Sequence, residues 1–187
     1  MATRESAGSR LSVDDWIQAG YSILAEDGLS AVKVDRLCER LGVTKGSFYW
    51  HFSDIAGYRA ALIDAWAEQR GDELAEFREI ADLPPRERLS RMVGHLVAPR
   101  HWRIERAMRE WARTDETVAK GVDAADRRVI RMVRQAFTDL GFSAEDAELR
   151  SHTTFAAGIG FLQTAGSKPN PLTERQRERF VEFMVRP

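Results

Sequence analysis

Apolar residues recur along this chain at intervals of three and four, and no segment alternates apolar and polar positions as a half-buried strand does. The first stripe is Trp16, Ile17, Gly20, Ile23 and Leu24, inside VDDWIQAGYSILAEDG. Ser12 and Asp15 precede it at capping-box spacing, and Gly28 stops it. Val34, Leu37, Cys38 and Leu41 stand at i, i+3, i+4 and i+7, which predicts a short second helix over 34–41. Gly42-Val43 reads as a turn, and a third helix runs from Thr44 to about Trp50. Ser53 is placed to cap a long fourth helix, from Asp54 to about Ile80. Pro84-Pro85 breaks the chain, and Pro85 suits the first position of a fifth helix that ends before Pro99. HWRIERAMREWAR is a sixth helix. A seventh starts at Asp115, reaches Leu140 and is stopped by Gly141. Ser143 and Asp146 form another capping box, opening an eighth to about Ala165. GSKPNPL is a loop, and Thr173 with Gln176 caps a short ninth helix.

The expected fold class is therefore all-α, with about nine helices. Residues 1–10 read as a flexible polar arm, 11–52 as a three-helix head, and 53–187 as a helical bundle. Composition agrees with a globular protein: 43% of the 187 residues are hydrophobic and 30% charged. Residues 1–10 lack the apolar stretch of a secretory leader, and no apolar run approaches the roughly 18–20 residues of a membrane span. A cytoplasmic protein without membrane contact is expected. The single cysteine, Cys38, allows no disulfide within the chain, and His51, His95, His101 and His152 form no i, i+4 pair. No metal and no cofactor are expected. A helical enzyme is the rival class, but no nucleophile–base pair and no phosphate-binding glycine loop supports it.

Residues 34–52, VDRLCERLGVTKGSFYWHF, meet the requirements of a helix-turn-helix. Cys38 is the small residue that a close helix crossing needs, and Gly42 suits a left-handed turn. Val43, Phe48 and Phe52 are placed to pin the second helix of the pair to the core. The remaining face suits DNA. Thr44 stands at a helix N-terminus, whose N–H groups can meet a phosphate, and Lys45 adds a cation. Gly46 and Ser47 are small enough for close approach in the major groove, and Tyr49, Trp50 and His51 supply polar edges and flat apolar surface. Arg36 and Arg40 on the preceding helix are within reach of the DNA backbone. Simpler roles stand beside these: Trp50 as an aromatic packed under the fourth helix, His51 as a local cap, Cys38 as core or as a redox sensor. Charge gives little support. The net charge is −1, and the first 60 residues hold seven Lys and Arg against eight Asp and Glu.

The string GVTKGSFYWHFSD, with LAEDGLSAVKV upstream, resembles the DNA-binding domain of the TetR family of transcriptional repressors, which commonly reads G-V-[ST]-x-[GP]-[ST]-[LFI]-Y-x-[HY]-F. The resemblance covers about residues 11–65; beyond it, only helix count and length are similar. It implies a homodimer on a double-stranded DNA operator, with contacts from Thr44, Lys45, Gly46, Ser47, Tyr49, Trp50 and His51. It also implies a small-molecule effector bound in the C-terminal bundle. Two positions depart from the family: Lys33, Val34 and Asp35 open the second helix where Ser or Thr is usual, and Ser53-Asp54-Ile55 replaces a usual Lys. Lys33 is the candidate to replace a lost backbone contact.

Trp66, Met92, His95, Trp102, Met108, Trp111, Met132, His152 and Phe155 either line an effector cavity or form ordinary bundle core. As a lining they suit an apolar or aromatic molecule. The seventh helix (Val122, Val129, Met132, Val133, Ala136, Phe137) and the eighth (Phe155, Ala156, Gly158, Ile159, Gly160, Leu162, Ala165) carry stripes expected to meet their copies across a two-fold axis, or to pack within one subunit. The expected activity is repression relieved by the effector, with activation as the alternative.

Overall fold

The computed structural model describes residues 11–96, 102–164 and 172–186, with the backbone alone at 72–74, 76–78 and 96. Among these the regular structure is helical: α1 (Val13–Asp27), α2 (Val34–Leu41), α3 (Lys45–His51), α4 (Ile55–Glu79), α5 (Pro85–Leu96), α6 (Trp102–Trp111), α7 (Glu116–Asp139), α8 (Ala144–Thr164) and α9 (Glu174–Met184). A single 3-10 turn, Leu29–Ala31, follows α1 and has no periodic signature in the sequence. The expected arm at 1–10, and all of GSKPNPL except Leu172, lie outside the described residues.

Local chemistry explains the helix ends. Ser12 Oγ accepts the Asp15 amide at 3.2 Å while the Asp15 carboxylate accepts the Ser12 amide at 2.7 Å. The Ser12 hydroxyl, which also donates to the Asp15 carboxylate at 2.7 Å, and then the Ser12 amide hold the Asp15 carboxyl below its usual range. Thr173 and Gln176 repeat the box at α9, and the Asp115 carboxylate caps α7 through the Thr117 and Val118 amides. At α4 the cap differs from expectation. Asp54, not Ser53, is the last residue before the helix, and its Oδ1 takes the Gly57 amide at 2.8 Å. Ser53 stands one residue too early to reach the first turn.

The chain divides into two units, up to Ala65 and from Trp66 onward. The first holds α1, α2, α3 and the start of α4. In the second, α7 packs on α8, α5 and α6, and α5 packs on α9. Its main core joins Leu89, Met92 and Val93 of α5 with Val129, Val133, Ala136 and Phe137 of α7, Ala147 of α8, and Val181 and Met184 of α9. Val122, Val129, Val133, Ala136 and Phe137 of the α7 stripe are buried within the one subunit, the second of the two packings expected of it. Among the described residues no helix is long and apolar enough to cross a membrane.

Candidate nucleic-acid interface

The first unit is built around aromatic rings. Trp16, Phe48 and Tyr58 are fully buried, and Phe52 is nearly so. Trp16 meets Phe48 edge-on at 5.5 Å, and Phe52 meets Tyr58 edge-on at 4.9 Å. Two phenols tie α1 to α4 in opposite directions: Tyr58 donates to the Trp16 carbonyl at 2.7 Å, and Tyr21 donates to the Leu62 carbonyl at 2.9 Å. Gly20 permits this contact, because a Cβ there would lie 2.0 Å from Tyr58 Oη.

On this base the helix-turn-helix is closed by its turn. Gly42 adopts φ 67° and ψ 33°, the left-handed conformation that glycine takes without a Cβ penalty. Its amide bonds the Glu39 carbonyl at 3.3 Å, and the Val43 amide bonds the Cys38 carbonyl at 3.0 Å, satisfying the last carbonyls of α2. Cys38 is buried, and burial, then the nearby Asp35 charge, pushes its thiol pKa up. It therefore serves packing rather than thiolate chemistry. Phe48 and Phe52 anchor α3 from below, while Val43 is only half-buried.

The opposite face of α3 is open. Thr44, Lys45 and Gly46 are exposed, and Ser47 and His51 are half-buried. Tyr49 is 56% exposed and Trp50 61%. The packed alternative for Trp50 is thereby removed; its ring stands edge-on to His51 at 4.5 Å. Thr44 occupies the N-cap position, but its hydroxyl caps nothing. A Cβ at Gly46 would touch only Thr44 Oγ1, at 3.6 Å, so the fold does not demand glycine there.

The cations of this unit have partners that residue counting does not reveal. Lys45 Nζ lies 2.5 Å from Asp35 Oδ1. Arg36 is shared between Glu39 at 2.9 Å and Asp27 at 3.4 Å, and Arg40 pairs with Glu26. Each pair raises the pKa of its cation, chiefly through the hydrogen bond, so all three stay charged. Lys33, exposed at the N-cap of α2, makes no side-chain capping bond. Only Arg36–Glu39 has a helical spacing visible in sequence.

The candidates for effector binding are scattered through the second unit. Trp66 is buried, and a Cβ added at Gly121 of α7 would lie 3.7 Å from its ring. Met92 belongs to the main core, against which Met132 and Phe155 also pack. Trp102 is buried beside Leu162 in a separate cluster, with its Nε1 buried and unpartnered. Met108 and Trp111 are buried. His95 and His152 are exposed, and His152 faces Glu148. His95 lines a groove of about 380 Å³ with Ser90, Arg91, Gly94, Arg177 and Glu178. A second groove, about 550 Å³, includes Arg86, Phe142, Asp146 and Arg150. A largely shielded triad on α6 and α7, of which Glu105 is buried and Arg109 and Asp126 are partly so, escaped the sequence reading. Arg109 forms a fork to both oxygens of Asp126, at 2.9 and 2.6 Å, and also bonds Glu105 at 2.9 Å.

Comparison with known proteins bears on this geometry. Residues 17–62 match the profile of the bacterial regulatory proteins of the tetR family. The transcriptional regulator AcuR of Cereibacter sphaeroides is 38% identical over 63 residues, which are 34% of this chain and 29% of that protein. The chain thus matches under a third of the length of the curated relatives it resembles. Over nearly the whole chain the likeness is one of fold. A TetR transcription regulator from Haloarcula marismortui superposes with a TM-score of 0.71 at 17% identity, over 92% of this chain and 95% of that one. A regulator from Saccharomonospora viridis crystallised with choline gives 0.69 at 16% identity, over 92% and 94% of the two chains. The turn at Gly42 and the anchored α3 thus lie within the stretch that matches the tetR-family profile, and the chain as a whole has the fold of the solved TetR regulator from Haloarcula marismortui.

Proposed function

We propose that this protein is a cytoplasmic repressor that grips a two-fold DNA site as a homodimer and releases it when a small molecule binds the second unit. The observation that carries the reading is the division of α3. Phe48 is fully buried, whereas Tyr49 and Trp50 beside it are more than half exposed. Exposing two large aromatics on a seven-residue helix has a function if that face meets a partner. Thr44, Lys45, Tyr49, Lys33 and Arg36 then contact phosphates, Gly46 and Ser47 permit close approach, and Trp50 and His51 reach base edges.

A single head of this size binds DNA weakly, and two heads spaced by about 34 Å read successive major grooves. The surface proposed for pairing lies on α8 and α9, where Leu149 is 67% and Phe183 70% exposed. Ala156 and Gly160, also exposed on α8, allow close helix approach. The lever is α4, a continuous helix that gives Tyr58 and Leu62 to the head and Trp66 to the second unit. The effector is an apolar or aromatic molecule held among residues such as Trp66, Trp102, Met108 and Trp111, an environment that also accepts organic cations. The choline complex of the Saccharomonospora relative supports a small-molecule role for this fold. Only a ligand with unequal affinity for the bound and released states can drive release.

Selection of bound sequences from random duplex DNA tests the reading. Enrichment of a palindrome, with a protein that sediments as a dimer, is expected. Failure to enrich any duplex overturns it, and lower target expression on deleting the gene would replace repression by activation.

A further inference from the structure

We infer that Asp35 is a built-in competitor for DNA phosphate, which holds Lys45 in the free head and suppresses attachment to duplexes of arbitrary sequence. The inference rests on the reading of the α3 face as a DNA-binding surface.

Lys45 is the first residue of α3, and Thr44 before it makes no side-chain cap. In a complex the Lys45 ammonium would meet a phosphate; in the free head it meets Asp35, with Oδ1 2.5 Å from Lys45 Nζ. Among the ion pairs described for the head, this pair alone joins the two helices of the motif; the others lie within α2 or join α2 to α1. The core does not call for it, since the two side chains are 62% and 73% exposed. A pair so open to water adds little to folding.

Its effect falls instead on the encounter with DNA. A phosphate arriving at Thr44 takes Lys45 from Asp35 and then stands beside the displaced carboxylate. That repulsion is the same for every sequence, because the backbone carries no sequence information. An operator offsets it through base contacts. A random duplex offers little besides its phosphates, so the repulsion decides whether it is held at all.

The test uses the full chain, a labelled random-sequence duplex and the selected operator, with binding followed by anisotropy across a salt series. Asp35→Asn is expected to bind the random duplex roughly tenfold tighter at low salt. The slope of log affinity against log salt should steepen by roughly one unit per head. Thermal melting should stay unchanged. Glu39→Gln, which removes the same charge from the same helix, should give a smaller gain. In a Lys45→Gln background the gain from Asp35→Asn should shrink. Equal or weaker binding by Asp35→Asn overturns the inference, as does a gain that ignores Lys45 or is matched by Glu39→Gln. A wild-type chain that binds no duplex at any salt fails at the earlier step, the DNA-binding reading itself.

Discussion

In the head, ion pairs lie at the surface and aromatic rings fill the interior; in the second unit a guanidinium largely shielded from water lies between two carboxylates of α6 and α7. The Lys45, Arg36 and Arg40 pairs keep between 29% and 73% of each side chain open to solvent. Arg109, Glu105 and Asp126 keep 14%, 10% and 19%. Water competes freely for the first set and barely for the second, so the same pairing chemistry has different consequences. Surface pairs exchange partners at small cost, which is what the exchange of carboxylates for phosphates proposed for the head requires. Buried pairs are fixed, since separating them strands a charge.

The contrast is broken most directly at Arg109. Arg109→Ala leaves two nearby carboxylates with no counter-charge, and unfolding in urea should show a loss of about 3–5 kcal/mol. A loss below about 1 kcal/mol would mean that the triad is as exchangeable as the surface pairs. Next in size is Gly20→Ala in the head. The new Cβ would lie 2.0 Å from Tyr58 Oη and 2.9 Å from Leu62 Cδ2, so α1 and α4 must part or Tyr58 must leave its bond. Overpacking of this kind costs about 1–3 kcal/mol, and duplex binding should fall with it.

Smaller effects come from the phenols that tie α1 to α4. Tyr58→Phe and Tyr21→Phe each remove a buried hydrogen bond and should cost about 0.5–1.5 kcal/mol. The wild-type bonds also carry a pH dependence. Burial raises both pKa values above the ordinary value of 10.0, with Asp14 adding to the effect on Tyr21 and Tyr21 to that on Tyr58. The folded state therefore binds protons that the unfolded state has released above that pH. Stability is whole below about pH 10 and declines as the pH climbs toward the folded values. Alkaline melts should show tyrosinate absorbance rising together with loss of the head, and each Phe variant should flatten this slope. Tyrosinate formed without unfolding would refute the clamp.

Legibility in the sequence follows the same division. Helix ends were readable because a cap is a local event: Ser12 with Asp15, Asp115, Thr173 with Gln176, and the positive-φ glycines Gly28, Gly42 and Gly141 act within a few residues. The α4 cap was misplaced by one residue because Ser53 and Asp54 are both capable and only the backbone decides between them. The outward side of α3 was readable because Phe48 and Phe52 take the inward side and leave Tyr49 and Trp50 no core to enter. Contacts distant in sequence were not. Tyr58 with Trp16, Lys45 with Asp35 and Arg109 with Asp126 are joined by folding rather than by helical spacing. In the second unit Leu, Val and Met are interchangeable as core or lining, so periodicity marked a buried α7 face without telling whose interior it enters.

The smallest expected effect sharpens the comparison from the other side, through a glycine that looks equivalent to Gly20. Gly121 also lies inside a helix, and a Cβ there would face an aromatic ring, but it would stand 3.7 Å from Trp66 Cζ3, an ordinary contact distance. Nothing need move to admit it. Alanine in a helix interior is favoured over glycine by about 0.8–1.0 kcal/mol, so Gly121→Ala should stabilise the second unit by up to that amount, read as a higher urea midpoint. Gly20 and Gly121 then give opposite signs for one chemical change, because one helix crossing has no room beneath its glycine and the other has about a methyl group's worth. A destabilised Gly121→Ala would mean that Trp66 cannot yield even a few tenths of an ångström. It would also mean that α7 is packed as tightly there as α1 is against Tyr58.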